Sequence, residues 1–341
     1  MKREPNITLS IYLGSRCNAG CLYCHREESK DETINLEAIT HKIEELHPVK
    51  INYFGGEPLL YFDTIRAIYD RFPRIKYQVT TNGILLPKYK DELLLRNFRI
   101  VLSYDGGTNG DLRHITIPEV DLSAFQSVGL STTLYHGNTD LEAIHKGILK
   151  LEERVNRPLT MYPHIMHDTS EQNEAYALTL EDYDSIIAQW KKNIIEMVDC
   201  YEQYSLVQFQ KSGLLRFFIQ NDDGYFLTFG ETHCVSRSRV KIDGQGNEWD
   251  CLYIRDMKPE ENKAKLDTYF STCLNCNVYP WCGGACVKSK AHHLECYFYH
   301  EMFSWWADFS ASHHHAIQCL KGELLWNSTS SYSHRGTAAL R

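Results

Sequence analysis

The sequence predicts an α/β protein, a partial (β/α)6 TIM-type barrel followed by an irregular, cysteine-rich domain. Short β-rich runs alternate with helical patterns through the first half of the chain. Turns that contain Gly or Asn follow several of these strands, whereas regular periodicity fades in the second half and cysteines become dense. Repeated βα units imply a parallel sheet with helices outside it, and ligands bind such sheets at the carboxyl ends of the strands.

Local patterns predict the individual elements. Apolar and β-branched runs predict strands over residues 6–13, 50–54, 77–81, 99–104, 130–135 and 159–166. Apolar residues at helical spacing predict helices over 36–46, 62–72, 88–95, 141–155 and 181–204, and a buried amphipathic helix over 294–309. Asn82-Gly83 and Asp105-Gly106-Gly107 predict turns after the third and fourth strands.

Length and pattern together predict the domain organisation. A chain of 341 residues has room for about two domains. We expect the barrel over 1–205, the cysteine-rich domain over 206–320, and a frayed Ser/Thr-rich tail over 321–341. A small domain with little periodicity is expected to be held together by metal rather than by its own core.

Composition and charge exclude several classes of protein. Hydrophobic residues make up 43% and charged residues 23%, as in globular proteins. A net charge of −8 disfavours nucleic acid as a partner. No apolar run is long enough to span a membrane, and the short N-terminal run lacks a cleavage site. We therefore expect a cytoplasmic protein whose twelve cysteines bind metal rather than form disulfides.

The first cysteine motif is a C-x3-C-x2-C triad of Cys17, Cys21 and Cys24, directly after the first strand. Three thiolates on one loop can hold three irons of a cubane and leave the fourth iron open. A structural zinc site is the alternative, but it needs a fourth ligand, and His25 is too close to Cys24 to fit comfortably.

The triad, with Tyr23 before its last cysteine, resembles the signature of the radical S-adenosylmethionine (radical SAM) superfamily. Three further motifs resemble those of the same superfamily and follow in its order along the chain: Gly55-Gly56-Glu57-Pro58, Thr81-Asn82-Gly83 and Ser103-Tyr104-Asp105-Gly106. Each would be weak alone, but four at successive strand ends are a strong signal.

This resemblance implies a [4Fe–4S] cluster on the triad whose open iron chelates S-adenosyl-L-methionine. In the superfamily, an external donor of the flavodoxin or ferredoxin type supplies one electron. The cleaved cofactor yields a 5′-deoxyadenosyl radical that abstracts a substrate hydrogen. Cofactor contacts are implied at Tyr23 along the adenine, at Glu57 to the methionyl amine, and at the remaining matched positions, namely Gly55, Gly56, Asn82, Ser103 and Arg113.

The later cysteines resemble a SPASM domain, which implies two auxiliary [4Fe–4S] clusters and three clusters in all. The pattern is Cys234-x11-Gly246-x4-Cys251, then Cys273-x2-Cys276-x5-Cys282-x3-Cys286, then Cys296. By resemblance, one cluster is bound by Cys273, Cys276, Cys282 and Cys296, and the other by Cys234, Cys251 and Cys286. The fourth position of the second is open or filled by Cys200, Cys319 or His233. Zinc remains an alternative on part of this pattern.

Proteins with this pair of domains mostly modify polypeptides. The expected function is a peptide maturase that installs a thioether, C–C or C–O crosslink in a ribosomally made precursor. A sulfatase-maturating or small-molecule radical enzyme is the first alternative, and a non-catalytic electron-transfer protein is the second. Because the core begins close to Met1, an N-terminal leader-recognition domain is not expected, so precursor capture needs a separate protein or a direct surface.

Overall fold

The computed structural model describes residues 6–24, 33–167, 171–199, 239–251, 258–271, 273, 275–282, 284, 286 and 289–319. Its strands are β1 (Thr8–Tyr12), β2 (Lys50–Phe54), β3 (Lys76–Thr81), β4 (Arg99–Ser103), β5 (Val128–Leu134), β6 (Thr160–Ile165) and β7 (Arg239–Ile242). Its helices are α1 (Leu36–Leu46), α2 (Phe62–Arg71), α3 (Leu86–Leu95), α4 (Asn109–Leu112), α5 (Leu141–Val155), α6 (Leu180–Asp199), α7 (Pro259–Ser271), α8 (Tyr279–Cys282) and α9 (His292–Ser312). Short 3-10 turns cover Pro58–Tyr61, Gly106–Thr108 and Glu171–Tyr176.

The strands form one sheet in which every pairing is parallel. Their order is β6-β5-β4-β3-β2-β1-β7. The sheet is a curled half-barrel with helices outside it, so the predicted fold class is confirmed. One strand was not predicted: β7 extends the sheet beside β1, with Thr8 opposite Arg239. It lies in the range expected for the second domain, and that division of the chain stays a prediction.

Each strand buries alternate residues against the helices. In β2, Ile51 and Tyr53 are fully buried, whereas the residues that alternate with them, Lys50, Asn52 and Phe54, are half-buried. This alternation gives the sheet an outer face toward the helices and an opposite face, called the concave face below. Burying a large apolar side chain contributes about 1.5 to 3 kcal/mol, so the outer face supplies much of the stability of the barrel.

Helix ends follow the sequence signals that predict them. The side chain of Asn35 accepts from Ala38 N at 3.0 Å before α1, and that of Asp140 accepts from Ala143 N at 2.9 Å before α5. The predicted helix over 181–204 is confirmed as far as Asp199, and residues 200–204 lie outside the described residues. The helix predicted over 294–309 is confirmed within α9. In the described parts of the chain, no helix is both long enough and apolar enough to cross a membrane.

Candidate functional site

The cysteine triad lies on the loop that follows β1, at the carboxyl edge of the sheet. All three thiols are partly exposed. Asn82, in the turn after β3, points its Nδ2 at Cys17 Sγ at 3.7 Å and donates to Asn18 Oδ1 at 2.8 Å. The Cys21 thiol faces the carbonyl oxygen of Arg113 at 3.9 Å. A side chain from the turn after β3 and a backbone carbonyl from the segment after α4 therefore both contact this short loop.

Two glycines after β2 let the backbone pass close to the segment that leads into the triad. Gly56 N donates to Gly14 O at 2.8 Å, and Glu57 N donates to Arg16 O at 2.8 Å. A Cβ at Gly56 would lie 2.0 Å from Arg16 O, which is not sterically allowed. Gly55 has φ of +133°, a conformation that side chains rarely adopt. The glycines of the motif are thus required by the fold around the triad.

Glu57 is completely buried, and its carboxylate joins the ends of two strands. It accepts hydrogen bonds from Thr81 Oγ1 at 2.8 Å, Asn82 N at 2.8 Å and Leu59 N at 3.0 Å. A buried carboxylate needs such donors to offset its desolvation. These contacts give Glu57 a positioning role, and its direct bond to a methionyl amine stays a prediction.

A buried network joins Tyr23 to the loop after β4. The Tyr23 hydroxyl donates to Asp105 Oδ2, and its ring stacks on Tyr135 with centroids 4.7 Å apart. Arg113 forms a two-point pair with Asp105, at 2.6 Å from Nε and 3.0 Å from Nη2. Thr133 N adds a third donor to the same carboxylate at 2.9 Å. Asp105 is fully buried, so this network fixes the last turn of the triad loop.

The same network shifts the ionisation of its members. Burial by itself lowers the pKa of Arg113, but the Asp105 carboxylate together with Tyr23 and Cys21 outweighs burial and raises that pKa. Burial raises the pKa of Tyr23, against the opposing effect of Arg113. Arg113 is therefore a fixed cation and Tyr23 a neutral donor. The implied cofactor contacts of both residues stay predictions.

The structure brings the sequence-predicted residues of the first motif set to one edge of the sheet. Ser103 is the last residue of β4, half-buried and opposite Ser131 of β5. Tyr135 and Thr133, which complete the network, were missed by sequence reasoning. No local motif surrounds them, and only the pairing of β4 with β5 reveals their position.

A second group of cysteines lies around α8 and the start of α9. Burial, together with the neighbouring Cys296, Cys276 and Cys273, raises the pKa of Cys282 to about 12. Burial and then Cys273 likewise raise the pKa of Cys296. Since these four thiols influence one another, the structure brings together the set that the sequence assigned to a single cluster. Their role as iron ligands stays a prediction.

The set assigned to the other auxiliary cluster is only partly described. Cys251 is buried and packs in a small apolar group with Cys273 and Cys276. Cys286 N donates to Glu295 Oε2 at 3.1 Å. Cys234 lies outside the described residues, as do the proposed fourth ligands Cys200 and His233. The remaining candidate, Cys319, has its Sγ 3.8 Å from His315 Nε2.

Gly246 of the second motif docks against the barrel. A Cβ at this position would lie 3.0 Å from Ala38 Cβ in α1, and its φ is +80°. Nearby, Asn35 N donates to Gly244 O at 2.8 Å. This glycine is explained by close packing on α1 and by a turn that needs positive φ.

The chemistry of both cysteine groups fits iron–sulfur clusters. A cubane takes one thiolate per iron, and a loop with three partly exposed thiols leaves one iron open to an external ligand. Among the residues that the structure describes, no three His, Cys, Asp or Glu side chains are arranged around a single metal ion.

Comparison with known proteins identifies one segment near the amino terminus of the chain. Residues 11–119 match the family model described as Radical SAM superfamily. This segment is similar to a radical SAM domain. It carries the triad, the Gly55–Glu57 segment, Asn82, Ser103 and Arg113, so the family match and the site geometry cover the same residues.

Curated relatives carry several names. A probable GTP 3',8-cyclase of Archaeoglobus fulgidus is 39% identical over 25% of this chain and 30% of its own. A GTP 3',8-cyclase of Thermodesulfovibrio yellowstonii is 27% identical over 72% of this chain and 81% of its own. The radical SAM cyclopropyl synthase TigE of Paramaledivibacter caminithermalis is 25% identical over 28% of this chain and 26% of its own. The chain spans only 30 to 40% of the length of the first archaeal relatives.

Solved structures show the same fold over most of the chain. The structure "Native anSMEcpe with bound AdoMet and Cp18Cys peptide" superimposes with a TM-score of 0.62 at 15% identity, over 93% of this chain and 99% of that one. SuiB of Streptococcus suis superimposes with a TM-score of 0.53 at 14% identity, over 84% of this chain and 74% of that one. These likenesses extend the fold assignment beyond residue 119.

Proposed function

We propose that this protein is a radical SAM enzyme that modifies a ribosomally made precursor peptide by installing a thioether, C–C or C–O crosslink. The observation that carries the enzymatic part is the meeting of three loops at one sheet edge. The triad is held there by Asn82 of β3 and by the Gly55–Glu57 segment of β2. The family match over 11–119 supports the same assignment.

The residues of the chain have defined tasks in this proposal. Cys17, Cys21 and Cys24 would hold the first cluster, which when bound supplies the electron that splits S-adenosylmethionine and starts hydrogen abstraction. Asn82 directs its amide at Cys17 Sγ, and hydrogen bonds to cluster sulfur atoms tune reduction potential. Gly55 and Gly56 leave the backbone bare beside the triad, so that a ligand can approach it closely.

The buried network supports the triad from the other side. Asp105 holds both Tyr23 and Arg113, and Arg113 in turn presents its backbone carbonyl to Cys21. Because the network is buried and fully paired, it preorganises the loop before any cofactor arrives.

The peptide part of the proposal is supported by the second group of cysteines. Its spacing resembles a SPASM domain, and the four thiols assigned to one auxiliary cluster lie near each other. The structure of anSMEcpe, which shares the fold, contains a bound peptide. We therefore propose two auxiliary [4Fe–4S] clusters, an external one-electron donor, a separate leader-recognition protein and a cytoplasmic location.

Two other substrates have specific support. The relatives named GTP 3',8-cyclase favour a nucleotide, and the fold shared with anSMEcpe favours a formylglycine-forming reaction on a sulfatase. Both would use the same first cluster and the same triad. The two alternatives therefore differ from the proposed peptide crosslinking enzyme in the substrate, and a test must identify that substrate.

The test is anaerobic reduction of the iron-loaded full chain with S-adenosylmethionine, followed by mass spectrometry for 5′-deoxyadenosine. The wild type and Cys319→Ala should release it, whereas Cys21→Ala should not. Release by Cys21→Ala, or none by the wild type, contradicts the assignment.

The substrate is tested by co-expression with a short peptide encoded beside the gene and by incubation with GTP. Loss of two hydrogens from the peptide, with fragment ions missing between two residues, indicates a crosslink. A change confined to one residue indicates formylglycine. Consumption of GTP with an unchanged peptide replaces the peptide proposal with the cyclase.

A further inference from the structure

Four of the seven strands begin with a basic residue. Lys50 opens β2, Lys76 opens β3, Arg99 opens β4 and Arg239 opens β7. Lys50 pairs in register with Lys76 on one side and with Thr8 on the other, and Thr8 in turn pairs with Arg239. The four residues, called the concave cation group here, thus lie in a band across the amino-terminal edge of the sheet.

The side chains of this group share the concave face. The residues that follow them in β2, β3 and β4, namely Ile51, Tyr77 and Ile100, are buried in the core, so their predecessors lie on the opposite face. Lys50 Nζ donates to Gln78 Oε1 across the strands at 2.9 Å, and Gln78 pairs in register with Arg99.

The charges of the group are close enough to act on one another. Burial, together with the positive charges of Arg99, Arg239 and Lys76, lowers the pKa of Lys50 to about 8. Like charges held together in this way cost free energy. The fold maintains them although acidic residues outnumber basic residues by 44 to 36.

Basic residues on the outer surface are arranged differently. Lys42, Arg71 and Lys146 each lie within 3 Å of a carboxylate, at 2.8 Å from Glu248, 2.6 Å from Glu44 and 2.7 Å from Glu142. In the part of the chain that the structure describes, Lys76 and Arg239 form no ion pair with a carboxylate. Lys76 and Arg239, at the two ends of the band beside Lys50, therefore carry charge that an incoming oxyanion would neutralise.

We propose that Lys50, Lys76, Arg99 and Arg239 form an oxyanion-binding site on the concave face that takes acidic side chains of the peptide substrate. The inference rests on the proposed function, because it places the substrate on the same face as the radical centre. From Arg99 to Ser103 the concave face of β4 spans roughly 13 Å at 3.3 Å per residue. A peptide anchored by a carboxylate at the amino-terminal edge therefore needs about four extended residues to reach the triad.

The test is binding of a hexaglutamate peptide with blocked termini to the iron-loaded full chain at low ionic strength, measured by calorimetry. Inorganic tripolyphosphate and GTP are titrated in parallel. Lys76→Gln and Arg239→Gln change exposed side chains, so they leave the fold intact. We expect each to raise the Kd for hexaglutamate about fivefold or more, and added salt to weaken wild-type binding.

Lys146→Gln is the matched control. It removes the same charge from an exposed helix position that pairs with Glu142, so it should leave the Kd unchanged. If all three substitutions raise the Kd equally, binding depends only on the net charge of the protein, and the proposed site is wrong. Absence of hexaglutamate binding to the wild type would overturn it as well.

Tighter binding of GTP or tripolyphosphate than of hexaglutamate, by about tenfold or more, would reject the peptide carboxylate as the occupant. Because no cofactor cleavage is involved, the binding result is independent of the test of enzymatic function. A chain that binds hexaglutamate but releases no 5′-deoxyadenosine would contradict only the proposed function.

Discussion

The two cysteine-bearing regions of the protein are built in different ways. The turns after β2 and β3 contact the triad loop, and the fully buried Glu57 carboxylate joins these two turns. A Cβ at Gly56 would overlap the backbone at Arg16. The second group lies on short segments around α8 and α9, where burial raises the pKa values of Cys282 and Cys296. The first region is therefore ordered by the sheet, whereas the second would depend more on the auxiliary cluster that we propose for it.

Replacement of Cys282 should separate the two regions most strongly. Cys282→Ala removes a buried thiol that lies near three others, so we expect loss of auxiliary iron and faster hydrogen exchange over residues 258–319. Hydrogen exchange in β1 to β4 should not change. The measurements are iron content and exchange mass spectrometry, with Ser312→Ala, an exposed change at the end of α9, as the control. Equal loss of protection in both regions would contradict the comparison.

Within the first region, the largest effect on stability is expected at the buried ion pair. Asp105→Asn leaves Arg113 buried without its counter-charge, so the free energy of unfolding should fall by about 3 to 5 kcal/mol. Asp63, 2.7 Å from Arg66 and 90% exposed, offers the matched control. Asp63→Asn should cost about 0 to 1 kcal/mol in the same denaturant titration. Similar losses would mean that the network does not organise the triad loop.

The close approach beside the triad predicts the next effect. Gly56→Ala places a Cβ against Arg16 O, and the backbone must move, at a cost of about 1 to 3 kcal/mol. Gly110, in α4, has open space around its Cα, so Gly110→Ala should be neutral or stabilise by up to about 1 kcal/mol. Denaturant unfolding of the two variants measures the difference. A tolerated Gly56→Ala would remove the structural explanation for the motif.

Local sequence patterns predicted most of the helices and strands of the barrel. β2, α1 and α5 have the predicted bounds because strand propensity, capping residues and apolar spacing agree. β7 was missed because four residues in a cysteine-rich stretch become a strand only by pairing with β1. Contacts that join distant segments, such as Tyr23 with Tyr135, follow from the sheet order and could not be found in local sequence.

A buried polar contact ties the second region to the barrel, in addition to the apolar packing of α9 on α6. Glu295, whose side chain is 4% exposed, accepts from His167 Nδ1 at 2.9 Å, just after β6, and from Cys286 N at 3.1 Å. Other polar contacts between α9 and α6 are exposed; Lys191 and Glu301, for example, are 3.8 Å apart. Buried carboxylates need their partners, so this bridge should fix the Cys286 backbone more firmly than the surface pairs do.

Glu295→Gln tests this bridge, and it has the smallest expected effect on stability of the test substitutions proposed here. The amide keeps the size of the side chain but retains one carbonyl acceptor for two donors, so we expect a loss of about 1 to 2 kcal/mol and faster exchange of the Cys286 amide. Glu301→Gln, on the same helix and 49% exposed, should change stability by less than about 0.5 kcal/mol. If both substitutions leave the Cys286 amide equally protected, the second region is positioned by packing of α9 on α6 instead.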